Sequence, residues 1–237
     1  MARRILIKED YLNSSSNPLP GYKFIGYDGL TFSERQSDGD IVPIGGSNTN
    51  TNEWTYDLGQ YVSDEGGVVF HRYKDDGVQN YLICDTDDLT EPEQGITWSN
   101  VTATQIGSSA MSFWDGESNS NAIVNQSLHS YSAADLCLSS TRGGHSDWYL
   151  PSIDELGLLW HNRFNLNRTL SGSSSYGVIS GVTGFTTSNT LNYWSSTEIN
   201  STQARYFVFN GDQNGQGRFG NKTTSTYKVR AIRKISL

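Results

Sequence analysis

Four groups of side chains in this sequence have the types that chemistry needs. The first is acidic: Asp85, Asp87 and Asp88, followed by Glu91. Clustered carboxylates can hold a hard cation through oxygen ligands, but a solvated loop is the favoured reading of them. The second is the set of four histidines, His71, His129, His145 and His161. Their separations do not match metal-ligand spacing. His145, Ser146 and Asp147 place imidazole, hydroxyl and carboxylate in a row, but a catalytic triad is a matter of geometry that sequence neighbours rarely achieve. The third is the pair Cys84 and Cys137. Neither belongs to a CxxC or Cys/His cluster, so zinc is not indicated. Cys84 lies in an apolar run and Cys137 in a helix-like run, so buried thiols are expected, with a disulfide as the alternative. No phosphate loop or nucleotide fingerprint occurs. No enzymatic activity and no cofactor or metal is therefore expected. The fourth group is Asn200, Thr202, Gln203, Tyr206, Asn210, Asp212, Asn214, Gln216 and Arg218. Amide, hydroxyl and aromatic groups supply adaptable hydrogen bonds and flat contact area at low entropic cost, which is the chemistry of binding. The even numbering from Tyr206 to Arg218 would align one set on a single strand face, although Gly211, Gly215 and Gly217 interrupt it.

The elements that must position these residues read as follows. Gly66 to Tyr73 and Val78 to Cys84 are β-rich runs about a polar Asp-Gly turn, which predicts a hairpin. Ile96-Thr97-Trp98-Ser99 is a short strand candidate. Tyr131 to Ser140 reads as a short helix with Ala134, Cys137 and Leu138 on one face. Ser152 with Glu155 three residues on forms a capping box, and Ile153, Leu156, Leu159 and Trp160 supply the apolar stripe of a second helix. Ser171 to Thr190 reads as a long loop. Four short strands then follow: Tyr193 to Ser196, Arg205 to Phe209, a weak one at Arg218-Phe219, and Tyr227 to Ile235. Trp148 and Trp194 belong to apolar runs and are expected in the core. Arg230 and Arg233 are expected to pair with acids such as Asp154 or Glu155, as scaffold.

The chain has 237 residues and a net charge of −8. That charge argues against nucleic-acid binding and against attraction to anionic membranes, which need clustered Lys and Arg. No run of about 18 apolar residues exists, so no membrane insertion is expected. The first ten residues lack the apolar core of a signal peptide, which points to a protein that stays where it is made or leaves by another route, such as release of virus particles by lysis. Residues 1–52 read as an N-terminal arm and linker. The arm carries the turn-rich stretch Asn13 to Gly21, the aromatic segment Tyr22 to Phe32 and a second linker, Gly45 to Asn52. It is expected to be extended and held by a partner. Residues 53–237 read as one domain.

Four ordered motifs in that domain carry a family resemblance. They are Gly66-Gly67-Val68-Val69-Phe70, the run Asp147 to Leu156, Tyr193-Trp194-Ser195-Ser196-Thr197-Glu198, and Val229-Arg230-Ala231-Ile232-Arg233. Over about residues 54 to 237 the chain resembles the Legionella collagen-like protein C-terminal domain family, in the formylglycine-generating-enzyme branch of C-type-lectin-like folds. The resemblance implies an α+β fold: a C-type-lectin-like domain of two helices with small antiparallel sheets. It also implies a display role, as on adhesins and phage fibres. Some such domains are targets of diversity-generating retroelements, and Ile199 to Tyr227 looks like such a variable cassette. Two departures from the wider fold matter. The calcium-sugar motifs are missing, since Glu91-Pro92-Glu93 lies before the helices. The cysteine pair that the enzymes of that branch keep near the C-terminus is absent too. The arm, more weakly, resembles N-terminal attachment modules of tailed-phage virion proteins.

The expectation is thus a virion surface protein, at a fibre tip or receptor-binding position, recognising a host ligand through the C-terminal residues named above. Its expected partners are other virion proteins through the arm and a host surface glycan or protein. A homotrimer is among the assemblies this reading allows. A bacterial adhesin at the cell surface and a decoration protein without a ligand are the alternatives.

Overall fold

The computed structural model describes the backbone of Leu6–Ile7, Phe24–Tyr27, Phe32–Arg35 and Ile41–Pro43, and residues 54–90, 95–171, 192–209 and 215–237. The chain divides into two compact units, Met1–Glu53 and Trp54–Leu237.

In the first unit, β1 (Leu6–Ile7), β2 (Phe24–Tyr27), β3 (Phe32–Arg35) and β4 (Ile41–Pro43) form one sheet in that order. β2, β3 and β4 are antiparallel neighbours, and β1 runs parallel to β2 with Leu6 opposite Phe24. This corrects the expectation of a merely extended arm. Strands separated by short connections pair most readily with each other, because little chain must be ordered to close the hairpin.

The second unit is built on a sheet of order β11-β7-β6-β5, comprising β5 (Tyr61–Val62), β6 (Gly67–Asp75), β7 (Val78–Asp85) and β11 (Ile232–Ser236). The predicted hairpin is β6–β7. Its turn residues Asp76 and Gly77 both have positive φ, 46° and 84°. That is the backbone a two-residue turn needs to match strand twist. Strand β7 shows why its sequence is apolar without alternation. Tyr81 and Ile83 enter one core cluster with Trp98, Ile123, Cys137, Trp148 and Trp194. Leu82 and Cys84 enter the other with Leu156, Leu159, Phe207 and Ile232. Both faces of the strand are covered, so both parities must be apolar.

Among the described residues of this unit there are three α-helices, not two: α1 (Gly116–Val124), α2 (Ala133–Leu138) and α3 (Ile153–Leu170). The predicted capping box starts α3, with Ser152 accepting from the Glu155 N–H and Glu155 accepting from the Ser152 N–H. Ser132 caps α2 singly, its side chain accepting from the Asp135 N–H. Helix α1 was missed because its inward side is largely polar. Its buried residues are Gly116, Asn119, Ser120 and Ile123. Asn119 exchanges hydrogen bonds with the Ser112 backbone, and Ser120 Oγ donates to the Gly116 carbonyl while accepting from the Leu150 N–H. A hydrophobic stripe cannot reveal a helix that buries satisfied polar groups.

A second sheet, of order β10-β9-β8, contains β8 (Asn192–Glu198), β9 (Gln203–Val208) and β10 (Gly217–Asn221). Two strand expectations are corrected. Ile96 and Ser99 make single bridges, to Tyr227 and Ser132. The last strand starts at Ile232, because Lys228, Val229 and Ala231 give their carbonyls singly to Trp194, Leu89 and Asp85. Successive partners in different segments cannot build a ladder. The long loop expected at 171–190 lies almost wholly outside the described residues. No described helix is long and apolar enough to cross a membrane.

Candidate functional site: the face and edge of the C-terminal sheet

Strand β8 is buried along its whole length. Its polar side chains are consumed by the scaffold. Ser195 Oγ donates to the Arg205 carbonyl. Thr197 Oγ1 accepts from the Ile153 N–H at the start of α3 and donates to the Ser112 carbonyl. Glu198 ends the strand in a fully buried ion pair with Lys222 at 2.6 Å. The same carboxylate accepts from the backbone N–H of Ile106 and Gly107, and the Lys222 ammonium sits 4.6 Å from the Trp98 ring centroid. Burial pulls the Lys222 pKa down, against the opposing pull of Glu198.

A second ionic network fixes the acidic group near residue 85. Asp88 accepts from Arg230 at 2.7 Å, Lys228 at 3.1 Å and the Tyr193 hydroxyl at 3.2 Å. Asp85 pairs with Arg142, and desolvation raises its pKa. Arg233 pairs with Asp147 and Glu65. The expected partners of the two arginines, Asp154 and Glu155, are therefore corrected. Glu155 is occupied by the cap of α3 and by the Tyr149 hydroxyl. The His145–Asp147 neighbourhood is structural as well, since His145 Nε2 bonds the Asp64 carbonyl. Among the described residues, no group of three or more His, Cys, Asp or Glu is placed to hold a metal ion. Both cysteines are buried free thiols. Burial pushes Cys84 up to about 12, and Cys137 well above its ordinary value.

Outside this floor stand β9 and β10. Tyr206 lies directly opposite Arg218, so these two members of the expected binding set do share a face. The Tyr206 ring packs 4.2 Å from Tyr227 and 6.2 Å from Trp194, centroid to centroid. Burial, then hydrogen bonding to Tyr227, pushes the Tyr206 pKa up to about 12. Asn200, Thr202 and Gln203 sit at one end of the hairpin. There the Asn200 side-chain Oδ1 accepts from the Thr202 N–H, the Thr202 hydroxyl and the Gln203 N–H. Asn200 holds the turn, leaving the exposed Thr202 as the outward group. Gln216 is at the other end, its carbonyl accepting from Val208. Five strand positions separate the two ends, roughly 17 Å at the usual rise per residue. The described members form a strip rather than a point. Asn210, Asp212 and Asn214 lie outside the described residues.

The opposite parity holds residues that sequence reasoning missed. Arg205, Phe207 and Gly217 line a cleft of about 480 Å³ against α3, together with Phe113, Asp154 and His161. A neighbouring cleft of about 530 Å³ is lined by His71, Tyr73, Trp114, Glu117, Asp154 and Lys234. Trp114 is 77% exposed. The only local signal for these sites was the aromatic pair Phe113-Trp114 ahead of the Asp115 cap. Nothing in the sequence joined that pair to Arg205.

The motifs of this domain are spent on its own scaffold, while an outer strand and two clefts stay open. The architecture is α+β with small antiparallel sheets and few helices, consistent with a lectin-like fold. The chain belongs to the family described as the Lcl C-terminal domain, whose model matches residues 87–233, well over half of the sequence. The resemblance to that family is thereby borne out, with three of the four motifs inside the matched residues and Gly66–Phe70 before them, and the family supports a lectin-like, adhesion-type domain. No curated protein and no solved structure matches the chain.

Proposed function

We propose that residues 54–237 form a C-type-lectin-like recognition domain, carried on the surface of a tailed-phage particle, that binds a host-cell glycan or protein without catalysing a reaction. The lectin-like reading is supported by a sheet in which the domain's first and last strands take part, β5 at one edge and β11 at the other. Binding is assigned to the outer strip of the β10-β9-β8 sheet. The observation that carries this assignment is the contrast across the sheet: β8 is wholly buried, whereas Gln216 to Phe219 at the outer edge are all exposed. A fixed floor under exposed, chemically varied side chains is the arrangement that lets a surface change its ligand without losing its fold. The first unit is assigned to attachment to other virion proteins.

The test replaces Thr202, Gln216 and Arg218 together by Ala, leaving Asn200 in place because it holds the turn. Surface changes of this kind usually cost under about 0.5 kcal/mol each, so the melting temperature should move little. Binding to a glycan array and to a panel of bacterial cells should fall at least tenfold, because a few contacts carry most binding energy. Undiminished binding by a folded triple variant would move the site elsewhere.

A further inference from the structure

The cations that this fold turns inward are paired: Arg230 with Asp88, Arg233 with Asp147 and Glu65, and Lys222 with Glu198. Arg205 departs from that rule. Its Nε is covered and without a hydrogen-bond partner, and its guanidinium makes no ion pair among the described residues. The group is nonetheless held in place, 4.7 Å over the Phe113 ring. A covered, unpartnered donor on a guanidinium is a rare and costly arrangement that calls for an explanation. The same residue lines the 480 Å³ cleft between β9 and α3.

We propose that this cleft is a docking subsite for a partner protein, in which Arg205 receives an acidic side chain flanked by an apolar one. Three observations select that occupant. The first is charge. A planar guanidinium matches a carboxylate in charge and hydrogen-bond geometry, and this one sits 4.7 Å over the Phe113 ring with its Nε covered, which leaves the terminal nitrogens to meet the carboxylate. The second is the surround. Phe219 is the cross-strand partner of Arg205, so its side chain leaves the sheet on the same face, and it is 60% exposed. Phe113 is 40% exposed on the other flank. One arginine between exposed aromatic rings is the composition of a protein–protein hot spot. The third is what the cleft disfavours. Asp154 lines it too, and the whole chain carries −8, so a polymer with a charge on every unit would meet repulsion beyond its first contact. A peptide brings one carboxylate to Arg205 and backbone N–H donors for Asp154. The subsite uses the odd-numbered parity, Arg205 with Phe219, whereas the variant that tests ligand recognition above changes only the even-numbered Thr202, Gln216 and Arg218, so the two readings can fail separately.

The test uses the full chain and three probes: the peptide acetyl-Phe-Asp-Leu-amide, its Asn counterpart, and free glucuronate. Binding is followed by amide chemical-shift changes at Ile153, Leu158 and His161 during titration. The Asp peptide should bind at least tenfold more tightly than the Asn peptide and at least tenfold more tightly than glucuronate. Arg205→Gln should abolish the difference between the two peptides, and Arg205→Lys should keep part of it. Phe219→Ser, at an exposed position that should leave folding intact, should weaken both peptides alike. Melting of each variant checks that the fold persists; Arg205→Gln should melt close to the wild type, since it breaks no ion pair and loses only the contact with the Phe113 ring. Equal binding of the Asp and Asn peptides by the wild type would overturn the proposal. So would no shift with either peptide, or glucuronate binding as tightly as the Asp peptide.

Discussion

Lys222 shows how much of this molecule rests on single buried charges. Its ammonium has no solvent contact and is satisfied by Glu198 and the face of Trp98. Removing one member of such a pair strands the other in a medium that cannot solvate it. Lys222→Met should therefore destabilise the domain by roughly 3–5 kcal/mol in urea denaturation, the range for breaking buried pairs. The double change Lys222→Met with Glu198→Gln should recover more than half of that loss, because no buried charge remains. A single variant within about 1 kcal/mol of wild type would mean that water reaches the pair. None of this was legible in the sequence. Lys222 sits in the polar run Asn221-Lys222-Thr223-Thr224 and looks like surface. Trp148 and Trp194 were legible as core, because their size and apolar neighbours leave few other places for them. The two arginines at 230 and 233 were legible as scaffold, but their partners were not, since ion pairing depends on which loops the fold brings together.

At the scale of elements, legibility followed the range of the signal. The β6–β7 hairpin and the start of α3 were readable because turn and cap are written within four residues. The full length of α3 was not, since residues 161–170 are mostly polar, with Phe164, Leu166 and Leu170 forming no clean stripe, yet bury Leu166, Asn167 and Leu170. The expected binding strip was readable in part: the parity that unites Tyr206 and Arg218 follows from strand geometry alone. The clefts were not, because Phe113, Asp154 and Arg205 come from three separate segments. Helix α3 is also the element whose packing is most open to test. Leu156 is fully buried in the cluster with Phe70, Leu159 and Phe207. Leu156→Ala should cost about 2–5 kcal/mol, the lost transfer energy plus the cavity left behind. Trp160 is also buried, with Arg163 stacked 3.6 Å from its ring centroid, so Trp160→Ala should cost a comparable amount. Denaturant midpoints at constant slope would measure both, and a loss below about 1 kcal/mol for each would show that the helix contributes little.

At the scale of the whole molecule, β7 divides the core of the second unit. One cluster takes in residues of α1 and α2, the other those of α3, while β8 and β9 contribute side chains to both. Each cluster holds one of the two cysteines: Cys137 the first, Cys84 the second. Burial keeps both sulfurs protonated and out of reach of a thiol reagent while the fold is closed. The two sulfurs are therefore built-in clocks, one for each half of the core. Labelled in native buffer and mapped by peptide mass, they would report how often each half exposes its interior. If β7 welds the halves into one cooperative body, Cys84 and Cys137 should be labelled at equal rates, and both should accelerate equally in Leu156→Ala. Unequal rates would instead reveal a domain that breathes on one side of its central strand while the other stays shut.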